Sequence, residues 1–191
     1  ALLFDNIKGY PKGYKVLSNI LGSSTNRIAL AVGLPLNLSQ HEMIRRLKDI
    51  YKNTIPPKVV SEKSAPVNEN IITGKAIDIT MFPALKMWHH DGGRYIGTGD
   101  AIITKDPETG HHLLGTYRQM ILNKKQVGFY VSPGKDALLH REKWWQQGKP
   151  CEVIAVYGID PTTFICSAMG FPSNVSEYDA IGGIMGRPVE V

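Results

Sequence analysis

The sequence has few of the features that mark membrane, secreted or zinc-binding proteins. It holds 2 cysteines in 191 residues, and they lie in separate apolar segments without the C-x-x-C spacing of a redox or zinc motif. No apolar run approaches the roughly 20 residues that a transmembrane helix needs. The N-terminus lacks the basic and then apolar pattern of a signal peptide. We therefore expect a cytoplasmic protein with reduced, buried thiols and no membrane span.

The basic residues are not arranged as in a typical nucleic-acid-binding protein. The formal net charge is +5 at pH 7, but the lysines and arginines are scattered, without a basic tract or interleaved aromatic residues. A small phosphorylated or carboxylated ligand accounts for the positive charge at least as well. We expect no nucleic-acid partner. A basic β-rich module that binds a nucleotide or single-stranded nucleic acid stays as an alternative hypothesis.

The N-terminal part of the chain combines strand patterns with one clear helix. Residues 39–53 open with Ser39 and Glu42 at the spacing of a capping box, and apolar residues then recur on one face. Three short apolar segments are predicted strands: residues 1–4, 14–17 and 27–32. A polar, irregular stretch at residues 58–70 marks the end of this part. We predict an α/β portion over residues 1–70.

From residue 71 the pattern changes to short β segments punctuated by glycine and proline. Residues 94–131 predict three extended segments joined by two tight turns, DPETG at residues 106–110 and NKK at residues 123–125. The later predicted elements are a helix over residues 137–147 with Gly148 just after it, buried strands over 151–157 and 163–168, and a close-packed element over 179–186. The sequence predicts an α+β fold with a second domain at residues 71–191.

Arg118 lies on the middle segment of this meander, residues 111–122. If the segment is a regular strand, Arg118 shares a face with four other residues, because side chains alternate along a strand. These are Leu114, Thr116, Met120 and Leu122. A guanidinium on so apolar a face is costly unless it meets an anion. From the residues alone, an ordinary carboxylate partner or a position at a barrel edge explains it equally well.

Several motifs occur together in the order and spacing of one family. DPETG followed by GTYRQM at residues 115–120 resembles the UbiD-type decarboxylases, in which a DP-x-TG turn precedes a G-x-Y-R signature. Further stretches agree with that family in order: residues 1–11, 88–99, 158–163, 167–179 and 181–191. The resemblance implies reversible (de)carboxylation of a small aromatic or α,β-unsaturated acid with prenylated FMN. It also implies that residues 71–191 form a flavin-binding split β-barrel.

UbiD-type chains are longer than this one at both ends. The resemblance therefore implies a missing N-terminal helical region and a missing C-terminal domain, and we expect this chain to be part of a longer protein or complex. A homo-oligomer, or a subunit of a larger assembly, is the expected state. The glutamates that work with the arginine in that family lie beyond residue 191.

The resemblance also implies where the cofactor and the acid bind. Arg118 would be the catalytic residue, holding the carboxylate of the acid by a two-pronged fork and orienting it over the flavin. The implied cofactor-binding residues are Thr116, Tyr117, Arg118, Gly134, Lys135, Ser167, Ala168, Met169 and Glu177.

Two departures from the family's pattern concern its metal ions, which are Mn²⁺ or Mg²⁺ together with K⁺. The family has asparagine where Leu113 stands and a Gln-His pair where Gly134 and Lys135 stand. Glu177 alone remains of three protein ligands, and one carboxylate holds a divalent ion weakly. We therefore predict that Lys135, at a helix N-terminus, meets the flavin phosphate directly. The alternatives are an exposed helix-start lysine for Lys135 and a surface acid for Glu177.

Two main hypotheses follow for function. The chain is part of a UbiD-like carboxy-lyase, or it is a non-catalytic flavin-binding or assembly subunit that has lost the metal site. Absorbance of the purified protein separates both from the nucleic-acid hypothesis. Decarboxylation by the full-length protein separates them from each other.

Overall fold

The computed structural model describes residues 1–22, 24–172 and 175–191. The strands are β1 Leu2–Phe4, β2 Val16–Ser18, β3 Tyr95–Gly97, β4 Asp100–Lys105, β5 His112–Gly115, β6 Gln119–Asn123, β7 Gln126–Phe129 and β8 Val153–Tyr157. The α-helices are α1 Thr25–Ala31, α2 Gln40–Ile50, α3 Asp136–Gln146, α4 Pro161–Ser167 and α5 Glu177–Met185. Short 3₁₀ turns lie at Glu62–Ser64, Pro66–Asn68, Gly74–Ala76 and Ile79–Met81. The predicted mixture of helices and sheets is confirmed. Among the described residues, no helix is long and apolar enough to cross a membrane.

The strands of the described residues form three antiparallel sheets, with the orders β1-β2, β3-β6-β7 and β5-β4-β8. Strand β4 is the centre of the third sheet, where Ile102 stands opposite Gly115 of β5 and Ala155 of β8. The meander predicted at residues 94–131 is extended as expected, but its strands belong to two sheets. The sheets of the described residues do not close into one barrel, so the split β-barrel stays a prediction.

Helix α2 follows the sequence pattern closely. Ser39 Oγ accepts a hydrogen bond from Glu42 N at 3.3 Å, and Glu42 Oε2 accepts one from Ser39 N at 3.0 Å. The predicted capping box is therefore confirmed, and Met43 is the buried residue of the helix. The helix ends at Ile50, three residues before the predicted end.

Two predicted strands, residues 27–32 and 163–168, are wrong, because residues 27–31 lie in α1 and residues 163–167 lie in α4. Ser24 caps α1 by accepting from Arg27 N. Asp160 caps α4 by accepting from two backbone N–H groups, and Pro161 supplies a helical φ at its first position. Their β-branched residues suggested strands, but the cap residues decided the local structure. Ser23, in the loop predicted over residues 22–26, lies outside the described residues, as do Ser173 and Asn174.

The middle extended segment, residues 111–122, is not one regular strand, because it breaks between β5 and β6. Thr116 Oγ1 donates to the carbonyl oxygen of Asp100 at 3.1 Å, and Tyr117 N donates to Asp100 Oδ1 at 3.3 Å. A Cβ at Gly115 would collide with the ring of Tyr117. The oxygens of Asp100 thus accept hydrogen bonds that a neighbouring strand would otherwise accept. Arg118 therefore does not continue the strand face that includes Leu114.

Both predicted turns of this region are confirmed. Gly110 has φ +74° and its N–H donates to the carbonyl oxygen of Asp106 at 2.9 Å. In the second turn Lys125 N donates to Asn123 Oδ1 at 2.9 Å. Glycine or asparagine stands where each turn needs a special backbone or a local acceptor.

Helix α3 packs beside the Asp106 turn. Lys143 Nζ donates to Asp106 Oδ2 at 2.7 Å, and His140 Nδ1 lies 2.9 Å from Thr104 Oγ1. Burial acts to raise the pKa of Asp106, but hydrogen bonds from Lys143 and two backbone N–H groups outweigh it and hold that pKa at about 2. The helix begins one residue before the predicted start, and Gly148 follows it with φ +69° as predicted.

Strand β8 lies where residues 151–157 predicted a strand, but it is not buried. It pairs with β4 on one side and is the edge of its sheet. The exposed fractions are 40% for Val153, 61% for Ile154 and 41% for Tyr157. The apolar composition of β8 therefore misled the burial prediction.

The main core lies where β4 and β5 meet α4 and α5. Its buried residues are Val32, Ala101, Leu114, Cys166, Ile181 and Ile184. Cys166 is fully buried, as predicted for this thiol, whereas Cys151 is half-buried. The predicted close-packed element is α5, in which a Cβ at Gly183 would overlap the carbonyl group of Asn53.

We predict that Gly183→Ala lowers the free energy of unfolding by about 1–3 kcal/mol, because the added methyl forces α5 away from the backbone of Asn53. Gly170→Ala is the matched control, since no heavy atom lies within 4 Å of its Cβ position. The control should change the free energy of unfolding by no more than about 0.5 kcal/mol. Urea unfolding measures both, and equal losses in the two variants would contradict this packing.

Candidate functional site

A cavity of about 560 Å³ lies between the β3-β6-β7 sheet and the start of α3. Its lining residues are Tyr95, Thr116, Tyr117, Arg118, Met120, Gly128, Phe129, Tyr130, Ser132 and Lys135. Pockets for cofactors and small ligands have volumes of roughly 300–1,000 Å³. Four aromatic rings and two cationic side chains make this cavity suitable for a planar ligand that carries negative charge.

Arg118 makes a two-pronged ion pair in the cavity wall. Its Nη1 donates to Asp91 Oδ1 at 3.1 Å and its Nη2 donates to Asp91 Oδ2 at 3.0 Å. The guanidinium carbon lies 3.8 Å from the centre of the Tyr95 ring. The hydrogen bonds from Arg118 lower the pKa of Asp91. Of the explanations open from the sequence, the carboxylate partner is the one observed, and the catalytic role of Arg118 stays a prediction.

A fully buried carboxylate lies behind this wall. Asp100 Oδ2 accepts from Gln119 Nε2 at 2.9 Å, and Tyr157 Oη donates to Gln119 Oε1 at 2.7 Å. Burial raises the pKa of Asp100 to about 6, although hydrogen bonds from Gln119 and Tyr117 act in the opposite direction. A Cβ at Gly97 would overlap the Asp100 carboxylate, so this position requires glycine. The network fixes the backbone from which Tyr117 and its neighbours reach the cavity.

The segment before α3 brings Lys135 to the lining of the cavity. Lys135 N donates to the carbonyl oxygen of Ser132 at 3.2 Å, and Gly134 has φ +82°. Lys135 is the N-cap residue of α3 and is exposed, and it is one of the lining residues of the cavity. The predicted position at a helix start is therefore confirmed, and phosphate binding by Lys135 stays a prediction.

Glu177 is buried, so the surface-acid alternative is wrong. Its side chain belongs to the first residue of α5, is 4% exposed, and accepts from Leu114 N through Oε2 at 3.3 Å. Burial raises the pKa of the Glu177 carboxyl. Taken over the described residues, the cavity lining does not include Glu177. This cavity is lined by Arg118 and not by Glu177. That the two residues share one pocket stays a prediction.

The other predicted cofactor residues lie at the end of α4. Ser167 is buried and its Oγ donates to the carbonyl oxygen of Thr163 at 2.8 Å. Ala168 and Met169 are exposed and follow directly. The structure therefore brings Thr116, Tyr117, Arg118 and Lys135 together, and it leaves Gly134, Ser167, Ala168, Met169 and Glu177 outside the lining.

The described residues do not fit a protein-ligated divalent ion. Across residues 1–22, 24–172 and 175–191, no three or more His, Cys, Asp or Glu side chains are grouped to hold a metal. Glu177 is hydrogen-bonded to the β5 backbone, and Leu113 offers no ligand atom.

Comparison with protein-family models identifies the family. Residues 58–191 match the Rift-related domain of the 3-octaprenyl-4-hydroxybenzoate carboxy-lyases, and residues 1–49 match the N-terminal domain of the same enzymes. The chain belongs to the UbiD family. This confirms the resemblance seen in the motifs. The boundary predicted at residue 70 stays a prediction.

Relatives of this UbiD-family chain include named decarboxylases. It is 29% identical over 198 residues to the pyrrole-2-carboxylic acid decarboxylase of Pseudomonas aeruginosa, and 30% identical over 200 residues to a phenolic acid decarboxylase of Sedimentibacter hydroxybenzoicus. Both alignments cover 100% of this chain and 40% of the relative. The chain thus spans about 40% of the length of these relatives.

A solved structure supports the same fold. The vanillic acid decarboxylase of Sedimentibacter hydroxybenzoicus, in its closed form, matches with a TM-score of 0.89 and 29% identity. The match covers 98% of this chain and 40% of that one. The arrangement of helices and sheets described above is therefore that of a UbiD-family enzyme.

Two acidic residues of the site were missed from the sequence. Asp91 stands in the Gly-rich WHHDGGRY stretch, but its partner Arg118 is 27 positions away. Asp100 opens an otherwise apolar strand, DAIIT, and this break in the apolar pattern was a usable signal of a buried polar role. Its contact with Tyr117, 17 positions away, was not visible in that pattern.

We predict that Asp100 makes stability fall as the pH rises through the range from about 4 to about 6. The ordinary aspartate pKa is about 3.9, whereas the folded protein raises the pKa of Asp100 to about 6. The folded state therefore holds the proton more tightly than the unfolded state, and ionisation costs up to about 3 kcal/mol. Below pH 4 the penalty vanishes, and above pH 6 it is constant.

Urea unfolding of the wild type and of Asp100→Asn across pH 3.5–7.5 tests this. The variant cannot ionise at this position, so the difference in unfolding free energy between the two proteins should change between pH 4 and pH 6. Asp5→Asn, at an exposed carboxylate, should keep the wild-type profile. Parallel profiles for wild type and Asp100→Asn would contradict the burial effect.

Proposed function

We propose that this chain is the flavin-binding part of a UbiD-type decarboxylase that acts reversibly on an aromatic or α,β-unsaturated carboxylic acid with prenylated FMN. The observation that carries the proposal is one cavity in which an arginine and a helix-start lysine face aromatic walls. Family membership and the aromatic-acid decarboxylases among the relatives support the reaction class. The whole enzyme would include the segments that the longer relatives possess.

The residues around the cavity suit a flavin in different ways. The rings of Tyr95, Phe129 and Tyr130 offer flat apolar surface to an aromatic ring system. Lys135 carries a positive charge at the N-terminus of α3, where the unpaired N–H groups of the helix also favour an anion. Prenylated FMN, when bound, supplies the electron sink that carbon dioxide loss requires.

Arg118 is proposed to hold the acid. A planar guanidinium binds a carboxylate through two parallel hydrogen bonds, so it fixes both position and orientation. The aromatic wall beside Arg118 excludes water from one side of that carboxylate, which strengthens the hydrogen bonds. The chain thus contributes binding and orientation of the reacting acid.

Three further features belong to this proposal. We propose that the two three-stranded sheets are the halves of a split β-barrel. The functional protein is taken to be cytoplasmic. It is also taken to be a homo-oligomer or a subunit of a larger complex.

A specific observation favours a second candidate, a non-catalytic flavin-binding or assembly subunit. Glu177 is hydrogen-bonded to Leu114 N, and Leu113 stands where the family has a metal-binding asparagine. A protein that has lost its metal site can keep the cavity and lose turnover. Flavin absorbance without decarboxylation by the full-length protein would favour this second candidate.

We predict that Arg118→Lys lowers turnover by at least about 100-fold in the full-length enzyme, because a misplaced reacting group typically costs that much. Lysine keeps the charge but loses the planar two-donor fork. Flavin binding should stay largely unchanged. Arg45→Lys, on the exposed surface of α2, is the control that should retain full turnover. Unchanged turnover in Arg118→Lys would remove Arg118 from the mechanism.

We predict that Lys135→Ala weakens flavin binding by about 1.5–3 kcal/mol, the range for a hydrogen bond to a charged group. Lys149→Ala, at an exposed lysine after α3, should leave affinity unchanged. Because the proposal uses no metal, a chelator should not release the flavin. Fluorescence titration of FMN with and without chelator measures both effects. Flavin release by the chelator would contradict the role of Lys135.

A further inference from the structure

We propose that Asp91 is a positioning residue for Arg118: it occupies one edge of the guanidinium and thereby presents the other edge to the carboxylate of the acid. The inference rests on the proposed function, because it assumes that an acid binds to Arg118. It goes beyond that function by assigning a role to a residue outside the cavity lining.

The two hydrogen bonds between the side chains define which edge is occupied. Asp91 meets Nη1 and Nη2, the end of the guanidinium, at 3.1 and 3.0 Å. A guanidinium has a second two-donor edge, formed by Nε–H and the remaining hydrogen of Nη2. Within the part of the chain that the structure describes, no protein oxygen accepts from that Nε–H. A second carboxylate can therefore bind without displacing the first.

Asp91 is the anchored partner of the pair. Its Oδ2 also accepts from Trp88 N at 3.0 Å, and its own N–H donates to the carbonyl oxygen of Trp88 at 3.1 Å. The exposed fraction of the side chain is 8% for Asp91 and 40% for Arg118. A carboxylate fixed by its own turn holds a long, more exposed side chain in one orientation.

Tyr95 fixes the remaining freedom of the guanidinium. The ring lies 3.8 Å below the guanidinium carbon, a distance typical of a cation–π contact. Tyr95 lies on β3, which pairs with β6 at Met120, close to Arg118 in the chain. With its end held by Asp91 and its face held by Tyr95, Arg118 loses less conformational freedom when an acid binds.

The opposite possibility is that Asp91 competes with the acid for the same edge. Displacement would leave the Asp91 carboxylate largely buried without its cation, which is costly. The unused second edge makes displacement unnecessary. The geometry therefore favours positioning over competition.

Binding of benzoate to the flavin-loaded full-length protein, measured by calorimetry, tests the proposal. Asp91→Asn keeps the size of the side chain and an acceptor for Trp88 N, but it loses the charge and the second acceptor for Arg118. We expect the affinity for benzoate to fall about 10-fold, because Arg118 is no longer held in its binding orientation before the acid arrives. Flavin affinity should be unchanged. Asp49→Asn, at the exposed Asp49–Lys52 pair, should change neither affinity.

Arginine-detected NMR of the same proteins gives a readout that does not depend on acid binding. Restricted rotation should give resolved Nη signals for Arg118 in the wild type, and averaged signals in Asp91→Asn. If benzoate binds neither the wild type nor the variants while the Arg118 signals behave as expected, the proposed function fails. The contact by which Asp91 positions Arg118 then still stands. Tighter or unchanged benzoate binding in Asp91→Asn, or averaged Arg118 signals in the wild type, would overturn the proposal.

Discussion

The arrangement of this protein depends on a buried carboxylate at the point where two sheets meet. Asp100 begins the central strand of one sheet, yet its oxygens accept from Tyr117 N and from Gln119, which opens a strand of the other sheet. Burying a carboxylate without a cation is costly, and the raised pKa of Asp100 reflects that cost. The cost is tolerated because the chain leaves one sheet near Tyr117. Without Asp100, the backbone N–H of Tyr117 would lack this acceptor, which would be costly as well.

The break between β5 and β6, where Asp100 accepts from Thr116 and Tyr117, explains why these side chains lie together. A continuous strand over residues 111–122 would alternate its side chains between two faces. The break instead lets Thr116, Tyr117 and Arg118 all line one cavity. The buried network of Asp100 thus positions these cavity side chains through the backbone that carries them.

The sequence predicted the elements whose signals are local. The capping box of α2, the DPETG turn and the glycine after α3 each depend on residues within a few positions. The failures at α1 and α4 arose because β-branched residues outweighed the cap residues Ser24 and Asp160 in our interpretation. The strand break and the Asp91–Arg118 pair rest on contacts between distant positions, which no local pattern encodes. The order of the motifs predicted the family and four lining residues of the cavity. It did not predict Asp91 and Asp100, the acidic residues that accept hydrogen bonds from this segment.

Under the proposed function, the charges of the cavity have different roles for two kinds of anion. Arg118 is already paired with Asp91, so together they carry no net charge and offer directional hydrogen bonds rather than long-range attraction. Such a pair selects a carboxylate through the geometry of these hydrogen bonds. Lys135 has no such partner among the described ion pairs, and it stands at a helix N-terminus. Under the proposed function, the net attraction for a phosphate comes from Lys135 and α3, and selection of the acid comes from the fork of Arg118.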